Sequence, residues 1–477
     1  MRPGFDLAGK RVLVVGLART GVVAALFSAG YGASVTATDV KPEADLGDAP
    51  ARLRAAGVTL ELGAHAPVTF AGFDLIIVSP GVPAKLPFLE LARGQGIPVW
   101  SEVELAWRFL RGKLVAITGS NGKTTTTSLV AHILETANIA TLIGGNIGTP
   151  LLARVEASTD TSVTVAEISS FQLETIEAFR PEIGVLLNLT PDHLDRHASF
   201  EEYAAAKMRM FENQLERDAA ILNADDPEVT RRMPSGPHIY WFSRQKRVAQ
   251  GAFLLDNQIV FRMEGSEIPL LRREDIPLKG EHNVENVLAA CAASYLAGAD
   301  PASIANGVKT FRAVEHRLEF VAEIGGVSYY NDSKATNVDA TLKAIEAFPG
   351  SLIVILGGKD KGSSYADLRE SLRKRARLVL LIGAAAEKIA SEVGDAAATE
   401  HAGTMERAVE IAAERAAPGD VVLLAPACSS FDQFDNYEHR GRVFKQLVAQ
   451  LEHRVAAGTS RAAAAETSRE KGGNNAA

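Results

Sequence analysis

Short runs of β-branched and aliphatic residues alternate with longer stretches whose apolar positions recur at helical spacing, and the alternation continues along almost the whole chain. Continuous apolar strands separated by amphipathic helices are what a parallel sheet covered on both faces requires, so the pattern predicts an α/β fold. Strands are expected at Arg11–Gly16, Ala33–Asp39, Asp74–Gly81 and Ile97–Ser101, with a helix after Thr20. A second set follows at Lys113–Gly119, Val163–Ser169, Ile183–Thr190 and Ala219–Ala224, then a β-rich stretch around 238–280 and a helix beginning near His282. A third set comprises Gly326–Asn331, Leu352–Gly357, Leu378–Gly383 and Val421–Ala425. The pattern therefore divides into domains at 1–105, 106–308 and 309–455, and from Ala456 no apolar face recurs, which predicts a disordered tail over 456–477.

Composition narrows the function. The chain has 477 residues, with 50 Lys and Arg against 58 Asp and Glu, a net charge of −8. No basic excess is available to neutralise a phosphate backbone, so a nucleic-acid partner is not expected. Cys291 and Cys428 are too far apart in sequence to form a CxxC clip and too few for a disulfide framework, which points to a reducing compartment. No segment approaches the length of uninterrupted apolar sequence that crosses a bilayer, and the N-terminal apolar run is broken by Arg19, which predicts neither a membrane span nor a signal peptide.

The chemistry concentrates where predicted strands end. Val115–Thr124 runs from a buried strand through the turn Gly119-Ser-Asn-Gly122 into a helix opening Lys123-Thr124-Thr125. A Gly-containing turn at a helix start aims backbone N–H groups at an anion, Lys123 can reach a terminal phosphate, and the Thr124 hydroxyl can ligate Mg²⁺. The match to GxxxxGK[ST] is imperfect, since Ile117 holds the place of its first Gly. Glu167 ends the next strand, at the edge where open α/β sheets bind ligands, and is either a second metal-side carboxylate or a hydrated strand-end acid. Asn188-Leu-Thr-Pro-Asp-His-Leu-Asp-Arg-His197 gathers imidazoles and carboxylates in one turn; of these His193 is the candidate ligand, while Asp195 and His197 read as structural. Lys207 has the spacing of a surface lysine. Asn283 and Asn286 share one helix face and are caps or ligand contacts.

Thr118-Gly-Ser-Asn-Gly-Lys-Thr124 resembles the TGTNGKT loop of the Mur ligases and folylpolyglutamate synthases, ATP-dependent enzymes that join a carboxylate to an amine, and the NxxxDHxD and YxxxK patterns around His193 and Lys207 are similar to the Mur ligases in particular. The resemblance implies an ATP site of Gly119, Asn121, Gly122, Lys123, Thr124, Thr125, Asn283 and Asn286, with Arg317 and Asp332 at the nucleotide. It implies two Mg²⁺ ions held by Thr124, Glu167, His193 and Lys207, the last carbamylated, with Lys123, Glu167, His193 and Lys207 catalytic. It also implies a first domain that is Rossmann-like, a central P-loop ATPase-like parallel sheet and a Rossmann-like C-terminal domain.

The first turn, Gly16-Leu-Ala-Arg-Thr-Gly21, nearly matches a dinucleotide fingerprint but carries Ala18 at the middle position. By resemblance to the D-glutamate-adding branch of the family, Thr20, Asp39, Gly81 and Asn146 contact UDP-N-acetylmuramoyl-L-alanine. Tyr330-Asn-Asp-Ser-Lys-Ala-Thr-Asn337, Gly357-Gly-Lys-Asp-Lys-Gly362 and Ala427-Cys-Ser-Ser-Phe-Asp-Gln-Phe434 end three further strands. On the same resemblance Lys334, Thr336, Lys361, Ser430 and Phe431 hold D-glutamate. The bland reading of each is a turn residue, with Asn337 as a helix cap. The DNPR motif of the diaminopimelate-adding relatives is absent. The expectation is a cytoplasmic, monomeric amide ligase of peptidoglycan precursor synthesis, with a hinge at 305–315. A folylpolyglutamate synthase and a non-catalytic nucleotide sensor are the alternatives.

Overall fold

A computed structural model describes residues 5–64, 72–193, 196–312 and 315–472, with side chains described as far as Val455. The chain forms two compact units, one of residues 1–277 and 283–311, the other of 278–282 and 312–477. The boundary at Phe311/Arg312 lies within the segment where a hinge is expected.

The first unit holds two sheets. β1 (Arg11–Val15), β2 (Ser34–Asp39), β3 (Thr59–Leu62), β4 (Leu75–Val78) and β5 (Val99–Ser101) pair in the order β3-β2-β1-β4-β5, all parallel. This is the Rossmann-like arrangement, with the order reversing beside β1. The second sheet contains β6 (Lys113–Thr118), β7 (Thr141–Gly145), β8 (Val163–Glu167), β9 (Ile183–Leu186), β10 (Ala219–Asn223), β11 (His238–Ser243), β12 (Gly251–Leu255), β13 (Gln258–Met263) and β14 (Ser266–Arg272). Its order is β14-β13-β12-β11-β10-β9-β6-β8-β7. It is parallel from β7 through β12, and the β-rich stretch adds β13 and β14 antiparallel at one edge.

The boundary expected at residues 105/106 falls inside the helix Glu102–Phe109. That helix is buried on several faces: the Glu104 carboxylate accepts from the amides of Glu177, Ala178 and Phe179 at 2.9, 3.0 and 2.7 Å, and the Trp107 indole donates to the Arg180 carbonyl at 2.7 Å. One apolar cluster consequently runs from Val12 and Val14 under the first sheet to Ala116 and Leu186 under the second. Joining the two cores this way makes them one compact unit.

The second unit contains β15 (Glu319–Ile324), β16 (Val327–Asn331), β17 (Leu352–Gly357), β18 (Ala376–Ile382), β19 (Ala398–Gly403) and β20 (Val421–Leu424), ordered β15-β16-β20-β17-β18-β19. Only β15 runs antiparallel to its neighbour. Its last helix spans Tyr437–Gly472, well past the point where the sequence predicts a tail. Alanine-rich sequence has high intrinsic helix propensity, so helical backbone continues beyond Leu451, the last residue of the helix in the core cluster.

Candidate active site

The phosphate loop grows out of the C-terminal end of β6. Gly119 and Gly122 have φ of +150° and +85°, and a Cβ on Gly122 would lie 2.2 Å from Oδ1 of Asn286, so both the backbone conformation and the close approach require glycine. The loop is tied to the neighbouring strand end. The Ser120 amide donates to the Asn188 carbonyl at 3.0 Å, the Asn121 amide to Asn188 Oδ1 at 2.8 Å, and the Ser120 hydroxyl to the Thr190 carbonyl at 2.8 Å. The N-cap of the helix Lys123–Thr136 that follows is Gly122, which brings no side chain to the helix's positive end, where an anion is stabilised.

Beside the loop, Glu167 is almost fully buried at the end of β8. It accepts from the Thr124 hydroxyl at 2.7 Å and from the Asn146 amide side chain at 2.8 Å. Three of the predicted residues therefore meet at one carboxylate. Asn286 accepts from the Thr126 hydroxyl at 3.3 Å and donates to Asn283 at 3.0 Å, which places the asparagine pair directly under Gly122.

Two lysines converge on the loop from opposite sides. Lys123 Nζ donates to the carbonyls of Gly119 and Ser120 at 2.8 Å each, and Lys207 Nζ donates to the same Gly119 carbonyl at 2.9 Å. Lys207 is not the surface lysine its spacing suggests: it is 2 % exposed and lies 4.6 Å from the centre of the Tyr203 ring. Burial, reinforced by the charge of Lys123, holds its amine well below the usual lysine range, against the opposing pull of Asp192 and Glu167. His193 has a left-handed backbone, with its amide donating to Asp192 Oδ1 at 2.9 Å and its ring edge-on to Phe171. His197 is buried, stacked on Phe171 and 3.1 Å from the Ser170 hydroxyl, whereas Asp195 lies outside the described residues.

In the first sheet, Asp39 shapes the turn after β1. Its carboxylate accepts from the amides of Leu17 at 2.6 Å and Lys41 at 2.9 Å. Ser79 donates to the Gly16 carbonyl at 2.7 Å, and Gly21 approaches that carbonyl so closely that any Cβ would overlap it. Thr20 sits in the first turn of the helix Arg19–Gly30. Arg196 holds the next loop by donating to the carbonyls of Gly81 at 3.2 Å and Val82 at 2.6 Å.

In the second unit the loop after β16 carries Asp332, Lys334 and Thr336. Asp332 is buried and its carboxyl is pushed up to about 7 by desolvation, opposed by Arg317, the Leu318 amide and Lys334. Lys334 Nζ sits 5.1 Å over the Tyr437 ring. Asn337 caps the helix Val338–Glu346 by accepting from the Ala340 amide. Ser430 is buried and Phe431 is 68 % exposed, the latter presenting an apolar face to solvent. Sequence reasoning passed over Arg440, which is fully buried and donates to Ser333 Oγ at 3.0 Å, the Ser333 carbonyl at 2.8 Å and the Cys428 carbonyl at 3.2 Å. It pins the loops after β16 and β20 to one another. An arginine in the first turn of a helix directly after the third polar loop is the one signal that could have flagged it. Glu315, His316 and Glu319 form a tight group, and Lys445, 3.0 and 2.6 Å from the two carboxylates, already pairs with both.

A glycine-containing turn on a helix start, a buried acid bonded to the Thr of that helix and a desolvated lysine are the parts of a nucleotide-phosphate site, and the likeness to known proteins supplies the class: an ATP-dependent ligase. Residues 10–101 match the Mur ligase MurD-like N-terminal domain, 117–294 the Mur ligase middle domain and 316–428 the Mur ligase, glutamate ligase domain. The chain belongs to the Mur ligase family. It is 56 % identical over 464 residues to the UDP-N-acetylmuramoylalanine--D-glutamate ligase of Acidobacterium capsulatum, covering 96 % of this chain and all of that one. It is 54 % identical over 450 residues to the protein of the same name from Koribacter versatilis, covering 94 % and 99 %. Among solved structures, a pseudomurein peptide ligase type C from Methanothermus fervidus superimposes with a TM-score of 0.59 at 20 % identity over 93 % of this chain and all of that one. The MurF ligase of Thermotoga maritima in complex with ADP gives 0.58 at 19 % identity over 94 % and 100 %. These two share the fold.

Proposed function

We infer that this chain is an ATP-dependent amide ligase that adds D-glutamate to UDP-N-acetylmuramoyl-L-alanine, forming ADP and phosphate, in peptidoglycan precursor synthesis and hence in cell-wall biogenesis, cell shape and division. The reading is carried by the glycine-started helix behind Gly119–Gly122 with the Thr124–Glu167 pair beside it, in a chain that is similar over nearly its whole length to UDP-N-acetylmuramoylalanine--D-glutamate ligases. A free carboxylate is a poor acyl donor because its leaving group would be oxide. Transfer of the terminal phosphoryl group of ATP to the L-alanine carboxylate gives an acyl phosphate; the D-glutamate amine attacks that carbonyl, and the tetrahedral intermediate expels phosphate. Lys123 and the amides of the loop neutralise charge on the transferring phosphoryl oxygens.

Thr124 and Glu167 offer hard oxygen donors that fit Mg²⁺, and His193 with a carbamylated Lys207 fits a second ion. An Mg²⁺ ion held by these residues would supply positive charge to offset that of the phosphates. Carbamylation needs a neutral amine: its lone pair attacks carbon dioxide, one proton leaves, and a carboxylate replaces a cation. The buried Lys207, with its depressed proton affinity, supports this modification. Asn283 and Asn286 hold the base side of ATP, with Arg317 and Asp332 at the nucleotide. Thr20, Gly81 and Asn146 contact the UDP-linked substrate, and Asp39 serves it indirectly by shaping the turn after β1. Lys334, Thr336, Lys361, Ser430 and Phe431 receive the amino acid.

No helix among the described residues is long and apolar enough to cross a membrane; a cytoplasmic location and a monomeric state are what the likeness to the Mur ligases implies. The test is phosphate release from ATP and Mg²⁺ with each substrate omitted in turn, across a panel of L- and D-amino acids and with folate as an alternative acceptor. Release that needs both UDP-N-acetylmuramoyl-L-alanine and D-glutamate supports the reading, and release with folate or without an amino acid overturns it.

A further inference from the structure

In the second unit, the loop after β17 and the loop after β20 lie side by side. The Lys359 amide donates to the Ser429 carbonyl at 2.9 Å, the Ser429 amide to the Lys359 carbonyl at 3.2 Å, and the Gly357 amide to the Pro426 carbonyl at 2.8 Å. Beneath them Tyr365 is fully buried. Its hydroxyl donates to Asp360 Oδ1 at 2.8 Å and lies 3.0 Å from Cys428 Sγ. A phenol has one proton, and that proton is committed to Asp360, so the Cys428 thiol is the donor in the second contact. Burial, with the thiol and the carboxylate beside it, pushes the phenol's proton affinity far up, which keeps it a donor. Lys388 completes the chain from the other side, donating to Asp360 Oδ2 at 2.9 Å and to the Ser363 carbonyl at 2.8 Å.

Asp360 immediately precedes Lys361, and Cys428 stands two positions before Ser430. We propose that Tyr365 is a positioning residue for the incoming amino acid, its single hydroxyl fixing the loop that carries Lys361 against the loop that carries Ser430 through the chain Cys428–Tyr365–Asp360–Lys388. The inference rests on the reading that Lys361 and Ser430 receive the amino acid. Tyr365 touches neither substrate nor nucleotide in this role; it sets the separation at which two loops present their side chains to the carboxylates of one ligand. Orientation of that kind is lost by small displacements, because two charge-assisted hydrogen bonds to one rigid anion need both donors at once.

The experiment is steady-state kinetics on the full chain carrying Tyr365→Phe, which keeps the ring and removes only the hydroxyl. The expected result is a KM for the amino acid raised about tenfold, the effect of roughly one misplaced hydrogen bond to a charged group. KM for ATP and for the UDP-linked substrate should change less than about twofold, with the melting temperature within a few degrees of wild type. Cys428→Ser, which keeps a donor in place of the thiol, should behave as wild type, whereas Asp360→Asn should reproduce the defect and add nothing to Tyr365→Phe. A Tyr365→Phe enzyme with unchanged amino-acid KM, or with all three KM values raised together, overturns the proposal. Failure of the underlying reading is seen separately, as wild-type enzyme that turns over no amino acid in the panel.

Discussion

Gly122→Ala tests how far the phosphate loop depends on backbone conformation and close approach together. At φ +85° an L-residue is in the left-handed region, which costs about 1–2 kcal/mol. The new Cβ would also lie 2.2 Å from Asn286 Oδ1 and 3.2 Å from Leu187 Cδ1. Asn286 must move, and its hydrogen bonds to Thr126 and Asn283 weaken, at a cost of about 1 kcal/mol. The total of roughly 2–3 kcal/mol lowers the melting temperature by about 4–12 °C, given about 2–4 °C per kcal/mol for domains of a few hundred residues. Because the strain sits where the nucleotide binds, KM for ATP should rise by about tenfold or more, tenfold corresponding to about 1.4 kcal/mol. Gly57→Ala is the control: its φ is +79° but its Cβ would meet nothing within 4 Å, so it carries the conformational cost alone. Differential scanning calorimetry and ATP-dependent phosphate release on both variants decide the matter. Should Gly122→Ala melt with Gly57→Ala and keep its ATP KM, the argument that Asn286 packs the loop into shape is refuted.

Thr124→Val and Glu167→Gln should each lower kcat by about a hundredfold or more, since Val removes the hydroxyl oxygen and Gln the carboxylate charge; phosphate release at saturating Mg²⁺ checks this. Lys207→Ala should lose comparable activity and recover part of it with an added short carboxylic acid, and alkylation of the folded wild-type protein to trap the carbamate before digestion should put the trapped mass on the peptide carrying Lys207. Glu102 is buried with one oxygen unpartnered, and desolvation pushes it up to about 7. A raised carboxyl stabilises the fold while protonated. That contribution, about 3 kcal/mol for a displacement from 4.5 to about 7, is fully present below pH 4.5 and lost as pH rises to about 7. Urea denaturation across that range should show this slope in the wild type and a shallower one in Glu102→Gln.

The strands legible in the sequence were those buried on both faces. Val12–Val15, Leu75–Val78, Leu114–Thr118 and Leu352–Gly357 are uninterrupted apolar or small-residue runs because helices cover both sides of a parallel sheet. The strands that escaped were Thr59–Leu62, Thr141–Gly145, Glu319–Ile324 and Ala398–Gly403, and every one is a sheet edge. An edge strand is half solvated, so its apolar pattern fades and polar residues interrupt it. The boundary expected at 105/106 falls within helix Glu102–Phe109, which buries Glu102 and Glu104, residues that by composition look like surface positions.

What the sequence by itself determined is the phosphate loop, because two glycines, a lysine and a threonine at fixed spacing between strand and helix are a local requirement of chain geometry. The meeting of Thr124, Asn146 and Glu167 was half legible, since each ends or follows a strand of one sheet edge, but which oxygen accepts which proton was not. The tertiary structure alone decided the state of Lys207 and the existence of the Arg440 and Tyr365 anchors. A side chain's proton affinity and its partners depend on what surrounds it in space. Lys207 is set by its burial and by Lys123, Asp192 and Glu167, which lie elsewhere in the chain, and Arg440 by a loop more than a hundred positions away.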